Sequence, residues 1–139
     1  MKQKYIILDR DGVINTDSTN YIKCPDEWEP IPNSLQAIKK LSDNNFNVII
    51  ISNQSGVDRG LISPLNFIQI NTKMITMIEK SGGLISAILY CPSLPSVDNP
   101  NRKPNPGMYF DIAKRMNINL SDCYSIGDSP RDIQASLAA

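Results

Sequence analysis

Short apolar runs alternate along the chain with longer stretches in which apolar residues recur every three or four positions. The runs are Lys4–Leu8, Asn47–Ile51, Leu84–Tyr90 and Cys123–Ile126. Val48-Ile49-Ile50-Ile51 is apolar on both faces, as in strands buried inside a parallel sheet. Gly82-Gly83 marks a turn before the third run. Between the runs, helical periodicity predicts four helices. The first opens near Asn33, with Gln36 placed for a capping box and a stripe of Leu35, Ile38 and Leu41. The second has Ser63 as N-cap and Pro64 at its first position, with a stripe of Phe67, Ile70, Met74, Met77 and Ile78. The third follows Asn105-Pro106 and carries Tyr109, Ile112, Ala113 and Met116. The last follows Ser129-Pro130 and carries Ile133 and Leu137. The Met and aromatic positions of these stripes read as core packing. Strands alternating with helices predict an α/β domain with a mostly parallel sheet and right-handed crossovers. In such sheets ligands bind beyond the carboxyl ends of the strands.

Composition narrows the chemistry. The 139 residues fit one domain, 1–139, with 41% apolar and 20% charged residues. Fourteen basic residues balance fourteen acidic ones, so no global field recruits nucleic acid or an anionic membrane. An anionic ligand needs local cations instead. Histidine is absent, which excludes Ser-His-Asp and Cys-His nucleophiles and sites that need imidazole. Cys24, Cys91 and Cys123 are odd in number and widely spaced, against a disulfide framework or a four-cysteine zinc site. The apolar run Tyr5-Ile6-Ile7-Leu8 is too short for a signal peptide, and no stretch reaches the length of a membrane span. A cytoplasmic location is the expectation.

Each predicted strand is followed by polar residues. After the first comes Asp9-Arg10-Asp11-Gly12-Val13. Two carboxylates two residues apart at a strand end reach the same small volume, and Gly12 lets the backbone turn away. One can attack phosphorus and the other can exchange a proton with the leaving oxygen and then with water. Two anions facing a phosphate need a hard cation such as Mg²⁺ between them. Alone, the same residues read equally well as an Asp-rich turn capping backbone amides. After the second strand, Ser52-Asn53-Gln54-Ser55-Gly56 offers neutral donors to phosphate oxygens, or an ordinary polar turn. After the third, Arg102 and Lys103 sit in the Pro-stiffened segment 101–107, suited to anionic oxygens or to plain solvation. After the fourth, Asp128 can complete a metal site, while Asp132 falls where a helix cap would be. The four signals together supply what phosphoryl transfer requires in one cleft.

In this joint pattern the chain resembles the haloacid dehalogenase superfamily of phosphatases. Within it, Asp9 to Asn15, Tyr21 to Trp28, Ser52 to Gly56 with Arg59-Gly60, Arg102 to Met108, and Gly127-Asp128-Ser129 are similar to the branch of heptose bisphosphate and histidinol-phosphate phosphatases. The resemblance runs from Tyr5 to about Ala138. It implies a Rossmann-like three-layer sandwich without a large cap domain. It also implies a phosphoric monoester hydrolase acting through an aspartyl-phosphate. Asp9 would be the nucleophile, and Asp11 the general acid and base with a main-chain carbonyl toward Mg²⁺. Ser52, Asn53 and Gln54 would meet the phosphoryl group or substrate. Lys103 would neutralise phosphoryl oxygens and steady Asp9. Asp128 would ligate Mg²⁺ with Asp9 and Asp11. Arg59 and Arg102 would contact the rest of the substrate.

The implied substrate is a small phosphorylated sugar, first of all heptose bisphosphate at its 7-position. Histidinol phosphate is an alternative, as is binding of a phosphorylated ligand or partner without turnover. Nucleic acid and membrane are not expected partners.

Two departures stand out. The branch holds zinc with three Cys and one His in a loop before the Arg-Lys pair, and the aligned positions here are Cys91, Ser93, Asn99 and Asn101. No zinc is therefore expected. Relatives also continue past the last Asp motif into a fifth strand, whereas the sequence here stops at Ala139. The expectation is an open edge on the fourth strand, and a low-melting monomer or weak homodimer.

Overall fold

The computed structural model describes residues 2–139. Four strands form one parallel sheet: β1 (Lys4–Leu8), β2 (Phe46–Asn53), β3 (Ala87–Cys91) and β4 (Cys123–Ile126), in the order β3-β2-β1-β4. Four helices alternate with them: α1 (Ser34–Asp43), α2 (Pro64–Lys80), α3 (Gly107–Met116) and α4 (Pro130–Ala138). The chain steps outward from β1 through β2 to β3, then returns to place β4 on the other side of β1. That reversal opens a crevice at the carboxyl ends of β1 and β4, where α/β sheets bind ligands.

The sheet separates two apolar clusters. Ile6, Leu8, Val48 and Ile50 point to one face, where they meet Ile38 of α1 and Phe67, Ile70, Met74 and Ile78 of α2. Ile7, Ile49 and Ile51 point to the other, against Met108, Tyr109 and Ile112 of α3 and Ala135 of α4. The strict alternation along β1 and β2 feeds both cores from the same strands, which is why these runs are apolar on both faces. The result is the expected three-layer α/β sandwich, and no large cap is inserted in it. No helix is long and apolar enough to cross a membrane among the described residues.

Several boundaries differ from the sequence reading. β2 continues through Ser52 and Asn53, because β3 offers ladder partners to both, Tyr90 and Cys91. β3 begins at Ala87 rather than Leu84, since pairing with β2 starts only at Ile49 and Leu84 is exposed. Asn33 does not cap α1 with its side chain. It stands in the left-handed region at φ 71°, outside the extended geometry of a side-chain cap. The Ser34 hydroxyl instead donates to the Ile14 carbonyl at 2.7 Å. Ser63 does cap α2, accepting from the Asn66 amide.

The largest departure is α4. Ile133 and Leu137, read as its core stripe, are 59% and 81% exposed, while Asp132 and Ala135 are buried. A polar interaction of Asp132, described below, fixes the rotation of this helix. The outer edge of β4 is unpaired among the described residues, with Tyr124 and Ile126 exposed beside it.

The connection 9–33 carries the 3₁₀ turn Pro25–Glu27 and is anchored by Trp28, which is fully buried. Lys73 of α2 locks this turn by donating to the Pro25 and Trp28 carbonyls at 2.7 and 2.8 Å. The Trp28 indole N–H has no hydrogen-bond partner among the described residues. Trp28→Ala is therefore expected to cost about 3–5 kcal/mol of stability. Trp28→Phe, which keeps most of the ring and removes the lone donor, should cost clearly less. Denaturant melts of the two variants measure the difference.

Candidate active site

Asp9 follows the last residue of β1, and its amide still pairs with the Ile126 carbonyl of β4 at 3.0 Å. The sheet thus delivers the carboxyl into the crevice on a rigid strand end. Lys103 arrives from the β3–α3 connection and is 2% exposed. Its ammonium donates to Asp9 Oδ1 at 3.1 Å, Asp132 Oδ1 at 2.5 Å and the Ile51 carbonyl at 2.8 Å. Three hydrogens meet three acceptors, so the buried charge is fully satisfied. Asn53 holds the lysine in place from β2. Its side chain accepts from the Lys103 amide and donates to the Lys103 carbonyl, both at 3.0 Å.

Asp132, read from the sequence as a helix cap, does two jobs. One oxygen takes the Lys103 ammonium and the other accepts from the Ser129 amide at 3.1 Å, capping α4. Asp9, Asp128 and Asp132 lie with a carboxylate oxygen of each within 4.8 Å of the others. Two glycines make this crowding possible. Gly12, at φ 82°, faces the Asp128 carboxylate, and Gly127 faces that of Asp132; a Cβ at either would overlap it. Three carboxylates beside one ammonium leave two formal negative charges, and the all-oxygen donor set fits a hard divalent cation such as Mg²⁺. The cluster adds Asp132 to the expected Asp9 and Asp128. Asp11 is expected to contribute its main-chain carbonyl, and its side chain is not among these carboxylates.

The Asp11 carboxylate is held elsewhere. It accepts from Arg10 through Nε at 2.8 Å and Nη2 at 3.3 Å, from Asn15 at 2.9 Å and from Gln54 at 3.2 Å. Arg10 is almost wholly buried and also donates to Gln54 Oε1 at 3.0 Å. Gln54 donates to Ser52 Oγ as well, at 3.2 Å. The side chain of Gln54, expected to meet substrate, braces the Asp11 and Ser52 side chains, and the residue also lines the cavity.

Asp9, Asp11, Asn53, Gln54, Arg59, Arg102 and Lys103 line one cavity of about 270 Å³, and Arg131 lines it too. Arg59 lies over the Tyr21 ring at 5.5 Å from its centroid and donates to Ser55 Oγ. Burial lowers the Arg102 guanidinium's pKa, and the neighbouring charges of Arg131 and Arg59 lower it further. Arg59, Arg102 and Arg131 form no salt bridge with a carboxylate among the described residues. The cavity thus has acidic groups at its floor and uncompensated cations along its wall, the arrangement for an anion that must reach a metal.

The chain matches the family model of haloacid dehalogenase-like hydrolases over residues 3–139. It belongs to that family. This hydrolase is 46% identical over 136 residues to the D-glycero-beta-D-manno-heptose-1,7-bisphosphate 7-phosphatase of Bordetella bronchiseptica, covering 98% of the chain and 76% of that protein. It is 40% identical over 138 residues to the enzyme of the same name from Pseudomonas aeruginosa, covering 99% and 78%. A crystal structure of the D,D-heptose 1,7-bisphosphate phosphatase from B. bronchiseptica, complexed with magnesium and phosphate, superposes with a TM-score of 0.93 over 96% of this hydrolase and 74% of that chain.

Sequence reasoning missed three site residues. Asp132 was masked by its capping position. Arg10 stands between two aspartates and drew no role of its own from the sequence. Arg131 carried a usable signal: a cation in the first turn of a helix opposes the macrodipole, so something else has to hold it there.

Burial pushes the Asp9 carboxyl up to about 6, against the opposing pull of Lys103, and Asp132 adds to the rise. In the metal-free hydrolase Asp9 keeps its proton at pH values where the unfolded chain has released it. Folding stability from this group therefore falls as pH rises from about 4 to about 6. Mg²⁺ binding requires the ionised form. Calorimetry in buffers of different ionisation enthalpy should show nearly one proton released on Mg²⁺ binding at pH 5 and almost none at pH 8.

Proposed function

We propose that the chain is a Mg²⁺-dependent phosphatase that hydrolyses D-glycero-D-manno-heptose 1,7-bisphosphate at its 7-position through an aspartyl-phosphate. The observation that carries this reading is Asp9, held by Lys103 and clustered with Asp128 and Asp132, opening onto a cavity that three arginines without carboxylate partners among the described residues also line. The likeness to heptose bisphosphate phosphatases over nearly the whole chain supports the choice of substrate.

Asp9 is the nucleophile. One of its oxygens attacks phosphorus as the bond from phosphorus to the 7-oxygen breaks, and Asp11 gives that oxygen its proton. Asp11 then takes a proton from water, which attacks the aspartyl-phosphate and releases inorganic phosphate with Asp9 restored. Arg10, Asn15 and Gln54 hold Asp11 at the cavity wall for both transfers. Magnesium held by Asp9, Asp128 and Asp132, with the Asp11 main-chain carbonyl, screens the nucleophile's charge from the phosphoryl oxygens. Lys103 steadies Asp9 and offers positive charge where it develops on the transferring group. The Ser52 hydroxyl and the remaining amide hydrogen of Asn53 serve as neutral donors to the same group.

The second phosphate has a natural place on the wall. Arg59, Arg102 and Arg131 lack carboxylate partners among the described residues and line the same cavity as Asp9. An anion there relieves their mutual repulsion and turns the sugar so that its other phosphate faces the floor. We read the substrate as a small phosphorylated sugar, and the protein as a monomer or weak homodimer. The cytoplasm, which keeps the free thiols of Cys24, Cys91 and Cys123 reduced, is the location that fits.

Phosphate release from the heptose bisphosphate with Mg²⁺ tests the reading. Asp9→Asn keeps the shape of the side chain and removes its nucleophilic charge, so kcat should fall by on the order of 10⁴-fold with the fold intact. Chelation by EDTA should give a comparable, reversible loss. A parent chain that releases no phosphate, or an Asn variant that retains turnover, would overturn the assignment. Arg131→Ala separates the two ends of the substrate. It should raise KM for the bisphosphate about tenfold, leave kcat within a factor of about two, and barely affect hydrolysis of p-nitrophenyl phosphate.

A further inference from the structure

The loop between β3 and α3 occupies the place where the resembled branch binds zinc, yet its donors do not suit that metal. Cys91 packs in the apolar cluster with Met108, Tyr109 and Ile112. The other three positions are a serine and two asparagines, whose neutral oxygens and amide nitrogens are poor substitutes for thiolate and imidazole. These side chains bond to one another and to the loop. Asn99 Nδ2 donates to Ser93 Oγ at 2.6 Å, and Asn99 Oδ1 accepts from the Asn101 amide at 2.9 Å. The Asn99 carbonyl accepts from Asn105 Nδ2 at 2.9 Å and from the Arg102 amide at 3.1 Å. Ser93 is buried, and its carbonyl accepts from Arg102 Nη1 at 3.2 Å.

Asn99 therefore ties together both ends of the loop, and Arg102 hangs from it twice, by its own amide and by its guanidinium through Ser93. Pro92, Pro95 and Pro100 restrict the rest of the segment. A metal would fix such a loop by pulling four ligands to one point. Here the closure is made by one part-buried side-chain bond with main-chain bonds around it, and it needs no ion.

We propose that Ser93 and Asn99 are positioning residues that form a metal-free clasp and aim Arg102 at the non-reacting phosphate of the substrate. The inference rests on the functional reading above for the identity of that substrate, but the clasp itself does not. Ser93→Ala and Asn99→Ala should each raise KM for heptose bisphosphate about tenfold, the scale of one lost hydrogen bond, with kcat within about twofold. The double variant should be no worse than Asn99→Ala alone, because that change already removes the bond to Ser93 along with the one from the Asn101 amide. In an Arg102→Ala background neither change should raise KM further, which a general loosening of the fold would not reproduce.

A second arm reads the loop without catalysis. Limited proteolysis across residues 92–101 should be slow in the parent chain with or without EDTA, and at least severalfold faster in Asn99→Ala. If the parent chain does not hydrolyse the bisphosphate, the functional reading and the aiming of Arg102 at a substrate phosphate fall, and the proteolysis still decides the clasp. Cleavage accelerated by EDTA in the parent, one tightly held zinc per purified chain, or an Asn99→Ala loop as resistant as the parent's would overturn it.

Discussion

The ammonium of Lys103 is the point on which the site depends. It joins the end of β1 through Asp9, the end of β2 through the Ile51 carbonyl, and the first turn of α4 through Asp132. An ammonium removed from water is costly unless every hydrogen finds an acceptor. The three acceptors come from three separate elements, so satisfying this one charge fixes their relative positions. Asn53 completes the constraint by holding the lysine's own backbone against β2. Without Lys103 the acidic groups would face one another with no counter-charge. With it, they are held close enough to share a divalent cation.

The same constraint explains why α4 sits as it does. An amphipathic helix normally turns its apolar stripe inward. Here Asp132 caps the helix and reaches Lys103 at once, and Gly127 leaves room for it. A buried, charge-assisted interaction outweighs the burial of Ile133, so the apolar residues of the stripe face outward and the small Ala135 meets the core. Local hydrophobic periodicity loses to a single electrostatic requirement.

Charge is also segregated within the cavity. The formal net charge of the chain is zero, but the cavity is lined on one side of its chemistry by Asp9 and Asp11 and on the other by Arg59, Arg102 and Arg131. Such a dipolar cleft orients a doubly phosphorylated ligand more than it attracts it from a distance. The arginines are held by quite different means: Arg59 over the Tyr21 ring, Arg102 on the β3–α3 loop, and Arg131 by the first turn of α4.

The sequence by itself determined the layers of the fold. Runs such as Val48 to Ile51 are apolar on both faces, and only a sheet covered on two sides accommodates them. It also determined where the polar residues fall, since Asp9, Ser52 and Asp128 lie at or just beyond strand ends and Lys103 in the connection after β3, as the pattern required. Those features depend on period and on spacing, which are local. Tertiary structure decided what each polar group does. Asp132 joined the carboxylate cluster instead of remaining only a cap, Gln54 became a brace, and Asn53 turned to the backbone of Lys103. It also brought Arg131 to Arg102 and gave Arg10 its place under Asp11. Each of these pairings except Arg10 with Asp11 joins residues far apart in the chain, and their partners become known only when buried charges have to be satisfied in three dimensions.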